Sequence, residues 1–472
     1  MFKFYNSQHI KELKKMAFLD DRYLITNCAG VEIFDAIKDL PVIDPHNHAN
    51  VKEIADNNCY QDAWQLFAAT DHYVWEIMRK RGVPESHITG KTVSNKDKFL
   101  ALAKVFPEFA GNAVYEWIHL DLKRYFGIDE LLSEKTGEKI YNAVNEKLAT
   151  DAYRPQALLT GPLNVEAMCS TDDLIDTLED HDRANAAFGK VLLRPTWRPD
   201  KGMKIFAADW RSYMGKIEER FGVKLNSLQD LFDVVKRSHD YFAERNCVAS
   251  DHGIEVPLRG DYEYADADKV FRKAMAGEAL TNDEMNCYMG AFLTECARLN
   301  SETGWVTQLH LGAVRDVRKT LFDTMGPDVG GDISNHHLDY APALCNFLNQ
   351  FDDKLKVVLY CLDQGHQATL ATISRAFGAK LSLGSAWWLC DTPIGMRRQL
   401  EYIGAVDTLM NFAGMVSDSR KLLSYGSRFE MFRRVLSDVL GDMVGRGQMP
   451  AEIALNIARS IAYDGTKKFW NF

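Results

Sequence analysis

The chain contains no run of about 18 apolar residues, so no membrane-spanning helix is expected. It also lacks a positive balance. Lys and Arg number 56 against 66 Asp and Glu, a formal net charge of −10. Nucleic acids and acidic membranes both demand a basic footprint, so neither is expected as a partner. A small anion can still bind, through a few local arginines. The nine cysteines are scattered, and no pair has C-x-x-C spacing. An odd, unpatterned count suggests reduced thiols in a cytosol, most of them small buried hydrophobes. The opening stretch "MFKFYNSQHIKELKKMAFLDD" carries charges throughout and does not read as a signal peptide. Short repeats, low-complexity runs and Pro/Gly-rich linkers are absent too, so no clean domain boundary shows.

What is present is the composition of an ordinary globular protein, 472 residues with 46% apolar and 26% charged. Eight short apolar runs end in polar or catalytic residue types: 40–48, 164–173, 190–200, 247–254, 304–315, 356–364, 380–388 and 409–420. Amphipathic, helix-like stretches lie between them, such as 228–245 and 286–300. Strand-like runs alternating with helices predict an α/β fold with a parallel sheet, and eight suggests a closed (β/α)8 barrel of TIM type. Such barrels keep their active sites where these runs end. The interval 51–163 is too long for one crossover and is patterned as helix. The expected layout is therefore an N-terminal helical segment with barrel strand 1 (1–50), a large, mainly helical insertion (51–163), and the rest of the barrel with C-terminal helices (164–472). A Gly-rich stretch, 325–342, reads as a loop over the same face, with His336 and His337 as exposed loop histidines.

The first run, "LPVIDPHNHAN" from Leu40 to Asn50, turns abruptly polar. On a strand, residues two apart point to one side, so His46 and His48 would aim together into the barrel. Two convergent imidazoles suit a divalent metal. H-x-H alone is a weak motif; its place after the first buried run strengthens it. A further ligand must come from elsewhere. Asp418 ends the eighth run, beside the first in a closed barrel, and His310 ends the fifth.

The H-x-H and the strand-eight Asp resemble the amidohydrolase superfamily. Longer motifs resemble the uronate (glucuronate) isomerases within it: "DHYVWEIMR" (71–79), "CSTDDLIDTLEDH" (169–181), "WRPDK" (197–201), "SDHGI" (250–254), "LHLGAVR" (309–315), "GPDVGGD" (326–332), "SAWW" (385–388) and "SDSRKLLSYGSR" (417–428). The resemblance runs from about residue 20 to the C-terminus. It implies a distorted barrel with one divalent metal, commonly zinc. It also implies interconversion of D-glucuronate with D-fructuronate and of D-galacturonate with D-tagaturonate. The family's ligands carry onto His46, His48 and Asp418, and its substrate contacts onto His72, Tyr73 and Arg420.

The residues fit that assignment without selecting it. Strand four ends in "SDHG" and strand six in "LYCLDQ", so neither supplies the lysine, nor strand six the histidine, of a two-metal hydrolase. A mononuclear site suits an isomerase and equally a deaminase-like hydrolase, which stands as the alternative. A barrel that has lost its chemistry is a third reading, opposed by the full set His46, His48, Tyr73, Asp418 and Arg420. A hexuronate needs a cation for its carboxylate, with Arg420, Arg198, Arg315 and Arg79 as candidates in that order and an ordinary ion pair the favoured role for Arg79. Isomerisation through an enediol needs a base near C2, and Tyr73 and Asp418 are the candidates. His72, Asp251, His252 and Gln308 could bond the hydroxyls. His310 sits among the substrate contacts, as a fourth ligand or, by slight preference, an orienter of the ligands. Trp387, Trp388, Asp172 and Asp173 are weaker choices; the Trp pair suits a wall, and "TDD" suits a helix cap. A cytoplasmic enzyme is expected. The assembly is open, and a homo-oligomer is compatible with the sequence.

Overall fold

The computed structural model describes residues 18–258 and 260–472; the first 17 residues of the expected N-terminal helical segment lie outside it. Eleven strands occur among the described residues: β1 (Val42–Asp44), β2 (Val165–Cys169), β3 (Asp172–Asp173), β4 (Leu193–Arg194), β5 (Trp197–Arg198), β6 (Ala249–Ile254), β7 (Val306–Leu311), β8 (Ala313–Val314), β9 (Ile333–Ser334), β10 (Lys356–Cys361) and β11 (Leu381–Leu383). They form two parallel sheets, ordered β1-β2-β4 and β11-β10-β7-β6-β5-β3, and one antiparallel pair, β8-β9. Helices connect successive parallel strands, so the chain is α/β.

Two of the eight runs are broken rather than continuous. The run 164–173 divides into β2 and β3, and 190–200 into β4 and β5. Backbone bonds still cross the breaks: Ser170 N–H donates to the Arg194 carbonyl at 3.0 Å, and Asp172 N–H to that of Thr196 at 2.9 Å. These bonds join the two sheets into one succession of neighbours. The eighth run, 409–420, forms no strand, only a short 3-10 turn at Leu409–Asn411 and an extended segment. Gly414 interrupts it at φ +96°, where any Cβ would collide with Thr466. The segment still meets the end of the first run. Asp418 N–H donates to the His46 carbonyl at 3.1 Å, and His48 N–H to the Ser419 carbonyl at 3.0 Å.

The central strands are buried on both faces, as parallel strands between helix layers must be. Period-two alternation sorts their polar residues. Asn300, on the helix Asn282–Thr303, donates to Ser250 Oγ at 2.7 Å and to Thr307 Oγ1 at 2.8 Å, and Ser250 Oγ bonds His252 Nε2 at 2.8 Å. That face of β6 and β7 therefore belongs to the helix layer. Asp251 and His310 occupy the opposite face and bond each other at 2.7 Å. Burying such groups is costly unless they are paired, and these pairs meet that cost.

Between 51 and 163 the chain forms seven α-helices and no strand. The helix His72–Lys80 starts where Asp71 accepts the Tyr73 N–H at 2.9 Å. Asp71 is tied in turn to Lys421 at 2.6 Å, which fixes this helix start beside the Asp418 segment. No helix among the described residues is long and apolar enough to cross a membrane.

Candidate active site

A cavity of about 530 Å3 opens over the C-terminal ends of the parallel strands. Its floor comes from residues at or just past those ends: His46, His48, Arg198, Gly253, His310, Trp387 and Asp418. The rim comes from His72 and Tyr73 of the helix His72–Lys80, from Pro327 and Asp328, and from Arg315 and Arg420.

His46 and His48 converge, though not by the route expected from the sequence. β1 ends at Asp44, and residues 45–48 lie beyond it, so strand alternation does not aim the two rings. Asp44 sets the geometry instead. Its carboxylate accepts the Ser417 N–H at 2.9 Å and the Ser417 hydroxyl at 2.5 Å, locking the turn after β1 to the Asp418 segment. Burial pushes the Asp44 carboxyl up to about 6 against those bonds. Asp418 itself sits in the left-handed region at φ +48°, a conformation Asp tolerates better than most residues.

His46 Nε2 and His48 Nε2 lie 3.2 and 3.1 Å from the same oxygen, Asp418 Oδ1. Trp387 Nε1 donates to Oδ2 at 2.8 Å and fixes the carboxylate plane. Burial would raise the Asp418 carboxyl, but the two imidazoles hold it well below the usual carboxylate range. Burial also lowers His48. On His46 burial pulls downward too, yet the Asp251 and Asp418 carboxylates outweigh it and raise the imidazole. Potential ligand atoms of His46, His48 and Asp418 lie within 4.8 Å of one another. Two imidazoles and a carboxylate are the donor set of a borderline divalent ion, so this trio fits a metal. A second trio, His46, Asp251 and His310, meets the same distance limit. There, however, the Arg198 guanidinium already sits 3.0 Å from Asp251 and would repel a cation.

His310 braces the first trio. Its ring stacks on Tyr360 at 4.5 Å and packs 4.4 Å from the His46 ring. Burial pushes it down to about 4, so it is neutral. Burial would raise Asp251, but Arg198 and His310 hold it well below its ordinary range. Asp251, His252 and Gln308, expected to bond substrate hydroxyls, do not line the cavity. Asp251 is spent on Arg198 and His310, His252 faces the helix layer by alternation, and Gln308 is fully buried and accepts the Tyr360 hydroxyl. Asp172 and Asp173 also turn elsewhere. The helix Glu179–Phe188 is capped by neither, and Asp173 pairs with Lys201.

The four candidate arginines differ in how they are held. Arg420 donates from Nη1 to His72 Nε2 at 2.8 Å and from Nη2 to both oxygens of Asp328 at 3.0 and 2.8 Å. Burial and the neighbouring Arg420 lower His72, leaving it a neutral acceptor. Arg198 is committed to Asp200 at 3.1 Å as well as to Asp251, with Gly253 leaving just enough space beside it. Arg315 pairs with Asp332 at 3.1 Å and stacks over Trp388 at 4.6 Å. Arg79 is structural. It clamps Glu85 with two bonds of 2.8 Å and donates to the Val329 carbonyl at 2.6 Å, docking the 326–332 loop on the helix His72–Lys80. His336 and His337 are exposed on the loop that follows.

Tyr73 lines the cavity, and its hydroxyl is bonded to two groups that do not line it. It donates to Asp391 Oδ1 at 2.6 Å and accepts the Leu389 N–H at 2.8 Å. Burial, then Asp391, pushes the phenol well above its ordinary value. Sequence reasoning missed Asp391, its partner Arg428, and Asp328. Two of them lie inside quoted motifs, yet a motif does not say which side chains meet across 37 or 92 residues.

The family model for glucuronate isomerase matches residues 16–470. The uronate isomerase of Thermotoga maritima is 49% identical over 450 residues, covering 95% of this chain and 99% of the relative. Its crystal structure superimposes with a TM-score of 0.94, covering 96% of this chain and all of that one. The uronate isomerase of Bacillus pumilus is 34% identical over 467 residues, 97% of each chain. The crystal structure of glucuronate isomerase from Caulobacter crescentus gives a TM-score of 0.91 at 25% identity, covering 96% of this chain and 97% of that one.

Proposed function

The chain belongs to the glucuronate isomerase family, and from that membership we infer how its cavity serves a uronate isomerase. The enzyme is an aldose–ketose isomerase, and the alternative of a mononuclear hydrolase is set aside. Its substrates in our reading are D-glucuronate and D-galacturonate, converted to D-fructuronate and D-tagaturonate through an enediol. The fold in the same reading is a distorted (β/α)8 barrel. The irregular segment before Asp418 takes the eighth position, supported by its bonds to the turn after β1. The unpaired, mostly buried thiols support a cytosolic enzyme.

One observation carries the reading: a two-imidazole, one-carboxylate trio lies in a cavity whose rim holds the guanidinium of Arg420. The trio would hold one divalent ion, zinc on the evidence of its donor types. Such an ion supplies Lewis-acid polarisation of a bound hydroxyl or carbonyl oxygen. Arg420 binds the uronate carboxylate, since its planar fork matches that anion. His72 keeps the fork oriented by accepting from Nη1. Arg198 is the second choice, because two carboxylates already neutralise it. Of the two candidate bases, Asp418 is favoured for moving the proton between C2 and C1. It is held ionised, whereas the Tyr73 proton is held by Asp391. Tyr73 then bonds a substrate hydroxyl, and His310 and Trp387 hold the ligands in place.

The test is a coupled assay with each uronate, before and after chelation. Ketose formation that is lost on chelation and restored by zinc is expected. Failure of the metal-loaded enzyme to form ketose from either uronate would overturn the substrate assignment.

A further inference from the structure

Asp391 and Arg428 form an ion pair at 2.8 Å, each only 2% exposed, directly behind Tyr73. Stability does not explain such a pair, since buried ion pairs can often be replaced by apolar side chains without loss. The pair is also tightly built. Arg428 Nη1 donates a second bond, to the Ser417 carbonyl at 2.8 Å, next to Asp418. Its guanidinium lies 4.2 Å from the Trp117 ring and 5.1 Å from that of Tyr73. Arg428 takes one Asp391 oxygen, and the other is left for the Tyr73 hydroxyl.

A phenolic hydroxyl has one proton to give and two lone pairs to receive. A free Tyr73 hydroxyl could rotate and offer either to the cavity. Here Asp391 takes the proton and the Leu389 N–H takes one lone pair. One lone pair is left. Resting on the reading of this cavity as a uronate site, we propose that Asp391, seated on Arg428, is a positioning residue that presents Tyr73 to the substrate as a hydrogen-bond acceptor, with its proton held outside the cavity.

Asp391→Asn tests this by reversing polarity. Arg428 only donates, so it would claim the single amide oxygen. The amide NH2 would then face Tyr73, whose oxygen would receive two N–H groups and whose proton would turn into the cavity. The measurement is kcat and KM for D-glucuronate with metal-loaded Tyr73→Phe, Asp391→Asn and the double variant, metal content being determined for each. Each single change is expected to lower kcat by about 10²-fold, the low end for removing one preorganised hydrogen bond at the reacting centre, with KM changed less than about threefold. The double variant should be no slower than Tyr73→Phe, because both changes remove one arrangement. Losses that multiply to about 10⁴-fold would show independent, structural roles and overturn the proposal. Normal turnover of Asp391→Asn beside an impaired Tyr73→Phe would overturn it while leaving Tyr73 in the reaction. A silent Tyr73→Phe would remove Tyr73 and this proposal together, and absence of ketose with the unmodified enzyme would instead sink the isomerase reading. Should Asp391→Asn not fold, Asp391→Leu with Arg428→Met replaces the pair by apolar groups and enters the same cycle.

Discussion

The floor and the rim of the cavity are built on opposite principles. On the floor nearly every charge is matched below the surface: Arg198 with Asp251 and Asp200, Asp251 with His310, and His46 and His48 with Asp418. These groups sit at or near strand ends, and backbone bonds hold the ends in register. The rim is assembled from a helix and a loop far apart in sequence. Its charges are half exposed: the Asp328 side chain is 56% accessible and that of Arg420 34%. A buried matched set is stiff, because moving one member strands another. An exposed pair exchanges partners at little cost. The floor is thus suited to chemistry that needs fixed atoms, and the rim to capturing and releasing an anion.

If that division is right, damage to the floor outweighs damage to the rim. His48→Ala removes one of two imidazoles from the Asp418 oxygen and one donor for the metal. Charge stabilisation by a divalent ion is worth several kcal/mol, so turnover should fall roughly 10³-fold at about 1.4 kcal/mol per decade. Metal content measured on the purified variant should fall in parallel. A metal-free His48→Ala that keeps normal turnover would place the chemistry elsewhere.

The rim should yield a smaller effect, felt in KM. Arg420→Met strands His72 without its donor and leaves the uronate carboxylate without its fork. Losing the charge-assisted hydrogen bonds to that carboxylate costs about 2 kcal/mol, or roughly 30-fold in KM. Steady-state kinetics with D-glucuronate checks this. An unchanged KM would move the carboxylate to Arg198, and the rim would no longer be the capture site.

The same contrast governs what could be read from sequence. His46, His48 and Asp418 stood out because a polar set ends a buried run, and topology alone brings such ends together. The expected reason for their convergence was incorrect in detail: β1 stops at Asp44, and Asp44 bonded to Ser417 does the aligning. His252 lies outside the cavity lining because a strand has two faces, and the sequence does not say which one a given helix covers. The eighth run was legible as a position but not as a strand, since Gly414 and the left-handed Asp418 break its ladder. The rim was legible only by resemblance. Arg420 and His72 meet across 348 residues, and Asp328 reaches Arg420 across 92. No local pattern encodes such a pairing.

Asp328 offers a finer probe of the rim. Its carboxylate already occupies the fork of Arg420, so it competes with the substrate for that cation. An exposed pair is worth about 0.2–1 kcal/mol, so Asp328→Asn should lower KM for uronates by roughly 1.4- to fivefold. Inhibition by simple monocarboxylates should tighten alongside. A KM that rises instead would mean that Asp328 stays in place and bonds the bound sugar.

The smallest effect on turnover, within about twofold, is expected where floor-like burial occurs without floor-like pairing. Asp121, on the helix Ala113–Phe126, is 1% exposed, and neither of its oxygens has a hydrogen-bond partner. The charged groups around it are engaged elsewhere: Lys421 with Asp71 at 2.6 Å, and Arg428 with Asp391 at 2.8 Å. Tyr125 and the Ser427 hydroxyl complete its surroundings, and Ser427 draws the carboxyl down a little alongside Lys421. Burial pushes the Asp121 carboxyl up to about 8, only partly offset by Lys421. Its ordinary value is near 3.9, so the folded protein retains this proton from about pH 4 to 8 while the unfolded chain releases it. The folded state binds more protons there, and this group's contribution to stability falls as pH rises through that window, then levels off above about 8. Asp121→Asn keeps the shape and removes the ionisation. Chemical denaturation should find the variant close to the parent at pH 4, progressively more stable than it towards pH 8, and most favoured at pH 9. A difference that stays constant across that range would show that Asp121 is paired in the folded protein after all, and that matched charge extends from the floor into the helices behind it.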